Sequence, residues 1–112
     1  MVLENVTTMD HMLRNCKALS EVDITKFNTK NVKRMDFMFF GCKELISLDL
    51  SIFSNNYLVN MKGMFFQCSE LISINLTDFK TPKVEDMSYL FAECEEIKNI
   101  DLHHLIQQML KL

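Results

Sequence analysis

The sequence predicts an α/β solenoid of four stacked coils, with a parallel sheet on one face and short helices on the other. Two observations predict it. The 112-residue chain falls on itself when shifted by 26, aligning Met9, Met35, Met61 and Met87, and likewise Cys16, Cys42, Cys68 and Cys94, without insertion or deletion. Each copy also keeps nine apolar slots, seen in the second as Val32, Met35, Met38, Phe39, Cys42, Leu45, Leu48, Leu50 and Phe53. All 36 slots are apolar in a chain only 48% hydrophobic, so these columns are the expected core.

The first half of each copy sets its apolar residues at steps of three and four, which lays Val32, Met35, Met38, Phe39 and Cys42 on one helical face. This predicts a short helix or 3₁₀ stretch. The second half, Leu45-x-x-Leu48-x-Leu50-x-x-Phe53, switches to alternation and turns Ser47, Asp49 and Ser51 to the other side, which predicts a short strand. One helix and one strand cannot bury their own apolar faces, so the copies must stack. A period of about 20–29 residues with L-x-x-L-x-L spacing is the leucine-rich-repeat signature. Equivalent strands then pair in parallel at ~4.8 Å, and each column becomes a ladder through the core. The copies run over 5–30, 31–56, 57–82 and 83–105 within a single domain, 1–112.

Thr81-Pro82 reads as a helix entry, a hydroxyl N-cap followed by Pro at the first helical position, and Thr29 and Asn55 hold the same place. Gly41 suits a left-handed residue at the helix end; Asn15 fills that slot in the first copy, and Gln67 and Glu93 fit it less well. Solenoids need polar terminal caps, and the first copy has no evident one, which leaves Val22 and Ile24 of its strand open. Further repeats upstream, end-to-end association, or a fold-over by Met1-Val-Leu would each close it. In the tail, Leu105, Met109 and Leu112 have the spacing of an amphipathic cap helix over 105–112, or of a dimerising one.

The pattern Asn-Val-x-x-Met-x-x-Met-Phe-x-x-Cys-x-x-Leu-x-x-Leu-Asp-Leu-Ser-x-Phe resembles the BspA-like leucine-rich repeats of bacterial and protozoan surface proteins. The likeness runs from about Asn5 to Leu105. Departures are local: Leu58 replaces Val, Leu90 replaces Met, Leu105 replaces Phe and Asn75 replaces the strand Asp. The resemblance implies a solenoid used for adhesion or protein binding at a cell surface rather than for catalysis.

Composition narrows the classes further. Two Gly and one Pro leave no flexible linker, and the longest apolar run is far short of the ~20 residues of a membrane span. The start lacks the basic and apolar regions of a signal peptide, which fits either an intracellular scaffold segment or a piece of a longer secreted array. Net charge is −3, with Glu85, Asp86, Glu93, Glu95, Glu96 and Asp101 concentrated in the last copy. There is no basic stripe for nucleic acid. Cysteines in a straight column converge on no tetrahedral metal site, so neither metal nor cofactor is expected. His11, His103 and His104 have no nucleophile placed beside them by the repeat.

The candidate sites are therefore surfaces. One is the concave column Asp23, Asp49, Asn75 and Asp101, whose carboxylates either bond to local backbone and hydroxyl groups or receive a cationic ligand. The other consists of apolar residues outside the nine slots: Phe37, Phe40, Phe66, Tyr89, Ile46 and Ile72. On a helical wheel Phe40 and Phe66 point outward; on an irregular backbone they could tuck into the core. Contiguous exposed aromatics mark contact surfaces. The expected function is a non-catalytic protein-interaction or adhesion module. Its competitors are an intracellular scaffold, and self-association through the coil ends by Val22, Ile24, Leu105, Met109 and Leu112.

Overall fold

A computed structural model describes residues 6–16 and 27–97. Its regular strands are β1 (Ser47–Asp49) and β2 (Ser73–Asn75). They pair in parallel with Ser47 opposite Ser73, Leu48 opposite Ile74 and Asp49 opposite Asn75, the 26-residue shift of the sequence. Thr8, Arg34, Asn60 and Asp86 form a second parallel series of bridges at the same shift. Consecutive copies therefore stack in register. In the second copy every one of the nine apolar slots is at most 5% exposed.

The segments with helical spacing form no helix among the described residues. Residues 35–42 instead make three overlapping turns, with Met38, Phe40 and Cys42 amides bonding to the Met35, Phe37 and Phe39 carbonyls. The amides between them reach across: Met35, Phe37, Phe39 and Gly41 donate to Asn60, Lys62, Met64 and Phe66 of the next copy, at 2.8–2.9 Å. The same alternation recurs in 9–16 and 61–68, and the same turn bonds recur in 87–94. An α-helix would keep every such amide for its own carbonyls; here half of them bind the copies together. The first and third turns need positive φ at their third residue, the type II position, and both slots are left-handed throughout. One holds His11, Phe37, Gly63 and Tyr89, and the other Asn15, Gly41, Gln67 and Glu93. A pair of turns advances four residues, close enough to the 3.6 of a helix to give the same apolar spacing.

Thr29 is not a helix cap either. Its hydroxyl accepts from the Ser54 amide at 2.8 Å and lies 3.2 Å from the Ser54 carbonyl, tying one copy to the next. Arg34 bridges Asp10 and Asp36 at 2.8 and 2.7 Å. Those carboxylates in turn accept the Asp36 and Lys62 amides of the following copies. Burial pushes the Asp36 carboxyl above the usual range.

The cysteine column has a bonding role. The thiols of Cys42, Cys68 and Cys94 donate to the Leu13, Phe39 and Phe65 carbonyls of the preceding copy at 3.0, 3.1 and 2.9 Å. All four cysteines are free. Burial raises the Cys42, Cys68 and Cys94 thiols. Unfolded thiols ionise near pH ~8.5, so above that pH the native chain retains protons that the unfolded chain has lost. Stability must then fall as pH rises. Urea titrations in reducing buffer should show a flat profile through neutral pH. Above pH ~8.5 a decline on the order of 1 kcal/mol per pH unit is expected for each fully buried thiol; no decline by pH ~10 would reject the buried column.

Candidate functional site

The outer side of the turn ribbon carries a continuous row of rings. His11 stacks on Phe37 with centroids 5.3 Å apart, Phe37 meets Phe40 at 5.7 Å, Phe40 meets Phe66 at 5.1 Å, and Phe66 stacks on Tyr89 at 6.0 Å. Backbone stacking positions them, because Phe40 and Phe66 are one 26-residue shift apart, as are His11 and Phe37. The adjacent residues Phe39 and Phe65 point the other way and are fully buried. Phe37, Phe40 and Phe66 are half-buried, whereas Tyr89 is 61% exposed. So the two Phe whose direction the sequence left open belong to the surface, although the backbone is not helical.

Gly63 explains how the row crosses the third copy. It occupies the slot of Phe37 and Tyr89, and a Cβ there would stand 2.6 Å from Cδ1 of Phe37 and also overlap Cε1. The missing side chain is the space that the Phe37 ring fills. Two cations border the row: the Arg14 guanidinium lies over Phe40 at 4.6 Å, and the Lys62 ammonium is 5.9 Å from the Tyr89 centroid. Sequence reasoning missed Gly63, Arg14 and Lys62 as parts of this surface. The signal for Gly63 was present, since a glycine stands where neighbouring copies carry aromatic rings.

Ile46 and Ile72, 47% and 42% exposed, lie at the entrances to β1 and β2, where the Ile72 amide donates to the Ile46 carbonyl at 2.8 Å. They form a separate small apolar pair at the sheet. On the same strands, the Asp49 carboxylate accepts the Ser51 amide at 2.9 Å, and the Asn75 side-chain oxygen accepts the Thr77 amide at 3.0 Å. The Ser51 bonds hold the Asp49 carboxyl below the usual range. At these two positions the side chains bond to local backbone. Asp23 and Asp101 lie outside the described residues, as do Val22, Ile24, Leu105, Met109, Leu112 and the expected cap helix.

Arg14 is exposed near the first-copy end of the row and Glu93 near the fourth-copy end, where Lys83 is exposed as well. The geometry offers apolar contact with a charge at each end. Among the described residues, no helix is long and apolar enough to cross a membrane.

Comparison with curated proteins and with solved structures returns no significant match. A family model described as "Mycoplasma protein of unknown function, DUF285" matches residues 2–104, which span the ring row, both strands and all four cysteines. With nearly the whole repeat inside that match, the chain belongs to the DUF285 family.

Proposed function

We propose that this chain is a leucine-rich-repeat solenoid of the BspA-like kind, serving as a non-catalytic protein-interaction or adhesion module, with the aromatic row as its contact face. The observation that carries the reading is the run of half-exposed rings from Phe37 through Phe40 and Phe66 to Tyr89, bordered by Arg14 and Lys62. Aromatic and Arg residues are the usual anchors of protein interfaces. Ring orientation favours a protein over a sugar or a base. The rings lean against one another along the row, so an incoming ligand meets ring edges and the grooves between them rather than open faces on which to stack. The 26-residue register and the DUF285 membership support the solenoid, and the resemblance to BspA-like repeats points to a cell surface.

The test is a panel of immobilised purified cell-surface and matrix proteins, probed with the wild-type chain and with a Phe40→Ser/Phe66→Ser variant. Specific binding by the wild type should fall by about a hundredfold in the variant, the size of one or two anchor residues, while circular dichroism stays native. Equal binding by a folded variant would overturn the assignment of this face.

A further inference from the structure

We propose that the aromatic row takes a second copy of this chain, packed face to face with the coils running antiparallel. This rests on reading the row as an interaction surface and names its partner. The argument is charge complementarity along a self-complementary strip. The midpoint of the row is the contact of Phe40 with Phe66, contributed by the second and third copies. A two-fold axis through that point exchanges these two rings and sets the first copy of one chain against the fourth copy of the other. Arg14, exposed at one end, then faces Glu93, exposed at the other end. Isologous pairing of this kind requires each residue contact to occur twice, so each basic end finds an acidic end. The parallel arrangement would put Arg14 beside Arg14 and Glu93 beside Glu93, and like-charge juxtaposition disfavours it.

Two charges that are already committed sharpen the choice. Arg34 is spent on Asp10 and Asp36 within its own chain, whereas Arg14 is exposed beside the row. Arg14 itself lies over the Phe40 ring, so a partner carboxylate reaching Arg14 also covers the centre of the row.

The experiment is sedimentation equilibrium of the full chain in reducing buffer, with Arg14→Glu, Glu93→Lys and the double variant carried in one chain. The wild type is expected to dimerise and to weaken with added salt. Each single variant should weaken the dimer about tenfold, and the double variant, with both pairs reversed, should recover it. A wild type that stays monomeric to about 1 mM, the weak end of specific affinities, overturns the proposal, as does a double variant no better than the singles. Phe40→Ser/Phe66→Ser separates this failure from failure of the parent reading. A monomeric wild type that still binds another protein through Phe40 and Phe66 removes only the second copy. A dimer indifferent to those two rings also removes the second copy as the partner of the row, and leaves the parent reading to the binding panel.

Discussion

Phe65→Ala is expected to remove most of the stability of the molecule, by about 4–5 kcal/mol. Phe65 is 1% exposed and stands between Phe39 and Phe91, with centroids 5.6 and 5.3 Å away and planes within 4° and 7°. Truncating a buried Phe to Ala costs about 3–5 kcal/mol through lost transfer energy and the cavity left behind, and each ring contact adds ~0.5–1.5 kcal/mol. Collapse of the neighbours into the gap is resisted, because the Phe65 amide donates to the Leu90 carbonyl and the Phe65 carbonyl accepts from Cys94 Sγ, both in the fourth copy. Domains of this size are stable by only about 5–15 kcal/mol. Urea denaturation should therefore find the variant largely unfolded or with a strongly lowered midpoint. Phe66→Ala, one residue along, should cost much less, since Phe66 is half-buried on the outer row. Comparable losses at the two positions would contradict the inward and outward assignment.

Gly63→Ala is expected to cost about 2–3 kcal/mol, large for the addition of a single methyl. Backbone conformation accounts for the smaller part. Gly63 has φ +56°, yet His11, Phe37 and Tyr89 hold the same slot at φ 59°, 55° and 58° with side chains attached, and a left-handed residue costs only about 1–2 kcal/mol. The larger part is the Phe37 ring, which the new Cβ would displace; overpacking costs about 1–3 kcal/mol. A double-mutant cycle tests this directly. With Phe37→Ala already present, Gly63→Ala should cost about 1 kcal/mol less, because the ring it collides with is gone. Additive losses would show that the collision is relieved some other way.

These two sites show how differently the residues could be read. Phe65 was legible because its slot is apolar in every copy, and a slot that stays apolar through the repeat can only be an interior column. The strand half was legible for a similar reason: Leu48 and Leu50 alternate with Ser47 and Asp49, and β1 and β2 fall there with Leu48 and Ile74 buried. The turn half was legible in its burial but not in its backbone. Spacings of three and four serve a helix and a chain of overlapping turns alike, because both bring side chains back to one side about every four residues. What distinguishes them is the destination of each amide, and half of these amides leave their own copy for the next.

By itself, then, the sequence determined the 26-residue register, the interior columns and the placement of the strands. Repetition leaves its mark on every position at which burial is obligatory. Only the tertiary structure decided the outer surface. It selected turns over helices, set Phe40 and Phe66 in one row on the outer face, put Phe37 into the space left by Gly63, and gave Asp49 to the Ser51 amide. The physical reason is that a buried slot is constrained by water exclusion and so admits one class of residue. The partners of an outward side chain, by contrast, come from the neighbouring copy or from local backbone geometry, and neither is visible until the chain has stacked.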